Sequence, residues 1–75
     1  MDPEELETLY QQLVQEQDGQ CAVCGERKPL NVDHSHVTGQ VRGLLCGPCN
    51  KGLGHLNDSA VRLRAAAEYL DRYTF

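Results

Sequence analysis

The chain has 75 residues, with seven Lys and Arg against eleven Asp and Glu and a net charge of −4. That length holds a single domain, and the acidic balance excludes a protein that coats nucleic acid through bulk positive charge. No apolar run approaches the ~20 residues that span a bilayer, and the acidic start Met1-Asp2-Pro3-Glu4-Glu5 is unlike a signal peptide, so an intracellular protein with no membrane partner is expected.

Residues 2–17 read as an amphipathic helix. Asp2 suits the cap, Pro3 the first helical position, and Glu5 completes a capping-box spacing. Leu6, Leu9, Tyr10, Leu13 and Val14 recur on one face, and Asp18-Gly19 supplies a left-handed stop. Residues 20–29 are rich in turn formers. Leu30-Asn31-Val32-Asp33 alternates as a half-buried strand does, Thr38-Gly39 is a turn, and Gln40-Val41-Arg42-Gly43-Leu44 is the returning strand. A short helix is expected over 50–56, weakened by Gly52 and Gly54. Asn57 or Asp58 is expected to cap a last helix over roughly 59–73, with Leu63, Ala66, Ala67 and Leu70 as its apolar stripe. Leu6, Leu9, Leu13, Leu63 and Leu70 are the expected core.

Cys21-Ala22-Val23-Cys24 and Cys46-Gly47-Pro48-Cys49 form two Cys-x-x-Cys units with 21 residues between them. Tetrahedral zinc takes four soft ligands, and two such units supply them from distant segments. Gly25 permits the tight turn after the first pair. With all four positions filled, this zinc is structural. Its apparent binding energy, roughly 10–16 kcal/mol, exceeds what so small a core provides. Two other readings compete. Cys46-Gly47-Pro48-Cys49 matches a thioredoxin-type tetrapeptide, but that fold needs about a hundred residues and gives Cys21 and Cys24 no role. Two structural disulfides do not suit a reducing compartment.

Val32-Asp33-His34-Ser35-His36 concentrates metal- and proton-handling groups inside the loop that zinc closes. Asp33 offers a hard oxygen ligand, and His34 a base near neutral pH. Asn50, directly after Cys49, could add a second oxygen ligand from the short helix. In a regular strand Asp33 and His34 point to opposite faces, whereas His34 and His36 share one. Asp33 and His34 serve one site if the strand ends or twists there; otherwise His36 is the base. Arg42 is the first candidate for a phosphate contact, and Lys51 the second. Against these stand plainer roles. Asp33 could be a turn residue, His34 a surface histidine, His36 a backbone hydrogen-bonder and Asn50 a helix cap. Arg42 and Lys51 could be solvated charges, as Arg62 and Arg64 are expected to be, and His55 is expected at a helix end.

Taken together, Cys21-Ala22-Val23-Cys24-Gly25, Val32-Asp33-His34-Ser35-His36, Thr38-Gly39, Val41-Arg42-Gly43-Leu44-Leu45-Cys46 and Cys49-Asn50 resemble the phage recombination endonuclease VII family. Leu53-Gly54 and Ala66-Ala67-Glu68-Tyr69-Leu70 extend the likeness over roughly residues 9–71. The resemblance implies a small α+β zinc-bound domain with a ββα-metal (His-Me finger, HNH-like) core between an N-terminal and a C-terminal helix. It implies hydrolysis of DNA, branched DNA being the best-known substrate. It implies a catalytic magnesium or manganese on Asp33 and Asn50, His34 as general base, and His36 as a further active-site histidine. The expected division is a single unit, with 1–19 the N-terminal helix, 20–56 the zinc and active-site core, and 57–75 the C-terminal helix. If phage-encoded, it works in the cytoplasm of a bacterial host. Its length leads us to expect nicking by a monomer or a minimal dimer.

The first 18 residues carry six acids and no base, while residues 19–55 carry Arg27, Lys28, Arg42 and Lys51 against Glu26 and Asp33. DNA binding by the chain alone is therefore expected to be weak, with a protein partner or a second copy assisting. That balance also keeps open an alternative function: a non-catalytic zinc module binding DNA or a protein.

Overall fold

The computed structural model describes residues 2–73. Its elements are α1 (Pro3–Glu16), β1 (Leu30–His34), β2 (Val41–Cys46), α2 (Gly47–His55) and α3 (Ala60–Asp71), a small α+β arrangement. Residues 1, 74 and 75 of the expected division lie outside the described residues. None of the described helices is long and apolar enough to cross a membrane.

Helix α1 begins and ends on local chemistry. Asp2 is extended, and its Oδ1 accepts the Glu5 N–H at 2.8 Å, satisfying a first-turn donor. At the other end Asp18 and Gly19 both turn left-handed, with φ of 54° and 69°, and the Gly19 N–H closes onto the Val14 carbonyl.

The strands form one antiparallel hairpin. Leu30 pairs with Cys46, Asn31 with Leu45, Val32 with Leu44 and Asp33 with Gly43; the next pair is His34 with Val41. Arg42 is thereby left over as the extra residue of a β-bulge. Between the strands the Ser35 N–H donates to the Gln40 carbonyl and the Gly39 N–H to the Ser35 carbonyl. Gly39 sits at φ 76°, which only glycine adopts without cost.

β2 is buried at four successive residues, Gly43 to Cys46, so both of its faces are covered there. Helix α1 packs on one strand, β2, and α2 on both. The centre of the molecule is Cys21, Leu45 and Cys46, with Leu30, Cys49 and Leu53 against it, and Leu44 wholly buried. The leucines expected as core are not. Among the described residues no helix has a fully buried one: Leu9, Leu13 and Leu63 are half-buried, and Leu6 and Leu70 are 42% and 62% exposed. The radius of gyration, 14.1 Å, exceeds the roughly 11 Å of a compact chain of this length. The apolar stripes of α1 and α3 are only partly covered.

Two boundaries also differ from expectation. α2 starts three residues early, at Gly47, because Pro48 falls in the first turn, where no N–H is needed. Ser59, rather than Asn57 or Asp58, caps α3 by accepting the Arg62 N–H at 3.1 Å. Asn57 and Asp58 instead hold consecutive left-handed conformations, φ 57° and 58°, which turn the chain between α2 and α3.

Candidate metal centre and hairpin site

Two tight turns bring the cysteines together. The Gly25 N–H donates to the Cys21 carbonyl and the Cys21 N–H to the Glu26 carbonyl, with Gly25 at φ 74°. The Ala22 N–H, donating to the Leu44 carbonyl at 3.1 Å, ties this knuckle to β2. The second pair straddles the start of α2. The sulfurs of Cys21, Cys24, Cys46 and Cys49 all lie within 4.8 Å of one another, and all four are free thiols. Cys24 Sγ stands 3.7 Å from Cys46 Sγ. Four sulfurs at ~2.3 Å from zinc define a tetrahedron with edges of about 3.8 Å, so the cluster fits zinc in donor type and size.

The backbone prepares this cluster for a cation. The N–H groups of Val23 and Cys46 both approach Cys21 Sγ at 3.4 Å. Burial alone would push the Cys21 thiol up, but N–H donors from Cys46, Cys24 and Val23 outweigh it and draw it down to about 6. Hydrogen bonding to Cys46, then burial, pushes Cys49 up to about 12. The thiols thus divide their protons unevenly, since adjacent thiolates repel until a cation joins them.

The second feature lies at the open end of the hairpin. Asp33 is buried, and Arg42 grips both its oxygens, with Nε to Oδ2 at 2.7 Å and Nη2 to Oδ1 at 3.0 Å. The bulge explains this contact. In regular register Arg42 would oppose His34 and leave by the face away from Asp33; the extra residue swings it round. Arg42 is held from its other side by Asp58, with Nη1 to Oδ2 at 2.8 Å and Nη2 to Oδ1 at 3.1 Å. These hydrogen bonds, Asp33's first and Asp58's second, raise the Arg42 guanidinium pKa above its usual value. The hydrogen bond and charge of Arg42, against a smaller effect of burial, hold Asp58 below the ordinary carboxylate range. The His34 and His36 rings lie 5.3 Å apart, centroid to centroid, tilted by 59°.

The register shifts between Asp33 and His34, but the extra residue lies on β2. Asp33 is buried while His34 and His36 are exposed, and among the described residues no side-chain hydrogen bond joins either histidine to Asp33 or Arg42. Asn50 and Lys51 are exposed on the early turns of α2, and His55 is exposed at its end. Among the described residues no side-chain hydrogen bond or ion pair joins Asn50 or Lys51 to the hairpin cluster. The cysteines are also the one group there of three or more His, Cys, Asp or Glu whose ligand atoms converge. A cleft of about 270 Å³ opens beside Asp33 and Arg42, walled by Gly43, Leu45, Leu53, Ala22 and Val23. Sequence reasoning missed Asp58. Its signal was three successive helix-capping types, Asn57-Asp58-Ser59, of which a helix needs one.

The family model for recombination endonuclease VII matches residues 2–72. The Gene 59 proteins of Mycobacterium phage L5 and Mycobacterium phage D29 are each 47% identical to the chain over 66 residues, covering 81% of it. The chain spans 40% of the length of these relatives. No solved structure matches.

Proposed function

Since the chain belongs to the recombination endonuclease VII family, we propose that it is an HNH-like, metal-dependent DNA endonuclease that nicks or cuts branched DNA. Its setting in this reading is the cytoplasm of a phage-infected bacterium. The observation that carries it is that the Asp33–Arg42 pair and the His34–His36 pair both fall toward the open end of a hairpin whose base the four cysteines clamp.

Zinc at the cysteines is structural in this reading. Arg42 uses one lone pair on each Asp33 oxygen, which leaves acceptor capacity there for a cation. Asp33 and Asn50 are the hard oxygen donors that would hold magnesium or manganese, which when bound supplies Lewis-acid stabilisation of charge on the phosphate and the leaving 3′ oxygen. His34 takes a proton onto an imidazole nitrogen from the water that attacks phosphorus; such transfer contributes ~10²–10⁴-fold. His36 is the alternative base. Four of the five Arg42 N–H donors are already engaged, so Arg42 brings one to the phosphate and Lys51 carries more of that contact.

The test is supercoiled plasmid with magnesium or manganese, with and without chelator, beside His34→Ala and His36→Ala. Metal-dependent nicking lost in either histidine variant is expected, and intact plasmid across several divalent ions overturns the reading. One observation favours a second reading, a non-catalytic zinc module. Arg27 pairs with Asp18, Lys28 with Glu26, and Arg42 with two aspartates, so little positive charge in the middle of the chain is left for DNA. Intact plasmid together with a stable complex with a protein partner or a second copy would support it.

A further inference from the structure

We propose that Asp58 is a positioning residue for Asp33, acting through Arg42 across the gap between the α2–α3 turn and the hairpin. The inference rests on the nuclease reading above, in which Asp33 holds the catalytic ion.

Asp58 comes from a segment 16 residues beyond Arg42 and meets it with two hydrogen bonds, of 2.8 and 3.1 Å. Arg42 in turn meets Asp33 with two, of 2.7 and 3.0 Å. A guanidinium forked at both edges has no rotational freedom left. A carboxylate held at both oxygens has none either, so the orientation of Asp33 is set at Asp58. Arginine alone among the side chains can do this, because its rigid fork matches two carboxylates at once.

The local structure is built to deliver that carboxylate. Asp58 is a non-glycine residue at φ 58°, directly after Asn57 at φ 57°. Two such residues in succession are costly for L-amino acids. The turn is nevertheless closed by the Asp58 N–H on the Leu53 carbonyl at 2.8 Å and the Asn57 N–H on the Gly54 carbonyl at 3.0 Å. Capping of α3 falls to Ser59, which leaves the Asp58 side chain for Arg42. At the far end Arg42 is the residue of β2 that the register shift leaves unpaired. Asp58 also divides the positive charge of Arg42. Without it the whole guanidinium charge would rest on Asp33 and oppose a second cation there.

The experiment is a titration of the zinc-loaded protein with Mn²⁺, followed by the electron paramagnetic resonance signal of the free ion. Zinc content and melting are measured alongside, for wild type, Asp33→Asn, Asp58→Asn and Asp58→Glu. Loss of a group bonded directly to a metal ligand weakens metal affinity by about 10–100-fold. Asp58 stands one bond further out, so a loss at the lower end of that range, about ten-fold, is the measure. That loss is expected in Asp58→Asn at unchanged zinc content, with much of it recovered in Asp58→Glu, whose longer side chain still reaches Arg42. If Asp33→Asn loses Mn²⁺ and Asp58→Asn binds it as wild type does, Asp58 has no positioning role while the nuclease reading stands. If Asp33→Asn binds as wild type does, both fall. Loss of zinc together with Mn²⁺ in Asp58→Asn, with no recovery in Asp58→Glu, makes Asp58 structural and overturns the proposal.

Discussion

Gln17 and Leu44 are joined as two adjacent strands would be: the Leu44 N–H donates to Gln17 Oε1 at 2.9 Å, and Gln17 Nε2 donates to the Leu44 carbonyl at 3.0 Å. A side-chain amide thus serves as the missing neighbour at the outer edge of β2. Gln17 Nε2 also reaches the Gln20 carbonyl at 2.8 Å, linking the end of α1 to the approach to Cys21. Gly43 lies directly beneath, where a Cβ would come within 3.2 Å of Gln17 Oε1.

Gln17→Ala should therefore destabilise the zinc-loaded protein beyond its loss of surface. Leu44 is fully buried, and its N–H would have no partner. An orphaned buried donor costs about 1–3 kcal/mol, read by chemical denaturation at fixed zinc. Gln17→Glu keeps the acceptor for the Leu44 N–H and should lose less.

Zinc removal should unfold most of the chain. The buried centre is largely the cysteines and the strand that carries Cys46, and among the described residues no helix holds a buried residue of its own. Chelator should abolish the helical circular dichroism, and one zinc per chain should restore it. Affinity should fall with falling pH, because protons compete for all four sulfurs. With Cys49 pushed up to about 12 and Cys21 near 6, the free cluster still carries protons at neutral pH, so binding releases them. Calorimetry in buffers of different ionisation enthalpy counts that release, and a count of zero would contradict this account.

Arg42→Gln should destabilise the fold while leaving zinc content unchanged. It strands the Asp33 carboxylate, whose side chain is only 10% exposed. The cost should fall well below that of breaking a fully buried pair, because the Arg42 side chain is 38% exposed and solvent screens it. Arg42→Lys should recover only part of the loss, since a lysine ammonium cannot fork onto two carboxylates.

The Arg42–Asp58 contact should also respond to acid in a definite direction. Arg42 holds Asp58 below its ordinary value, so the stability this pair contributes is fully present above about pH 4–5 and is lost as pH falls through the depressed value. A carbon-13 titration of the Asp58 carboxyl in wild type and Arg42→Gln reads this. The midpoint should move up in the variant; an unchanged midpoint would show that Arg42 does not set it.

Features that depend on a few residues in succession could be read directly. Asp2 and Pro3 start α1, Gly19 stops it, the hairpin turns near Gly39, and the paired cysteines announce a four-sulfur cluster. Each is decided by backbone preferences or ligand spacing within one short segment. The core leucines of α1 and α3 were misjudged because periodicity reports which face is apolar. It does not report whether another element lies there to cover that face.

The sequence by itself determined a zinc-sized thiolate cluster, a helix-flanked hairpin and a set of acid, imidazole and guanidinium groups at its end. The tertiary structure alone decided that Arg42 bulges out of register to reach Asp33, that Asp58 holds it from the far side, and that Gln17 closes the sheet edge. These are contacts over 9, 16 and 27 residues. Each joins segments whose relative placement follows from the packing of β2 and the clamp at the cysteines. Nothing in the local preferences of either partner specifies it.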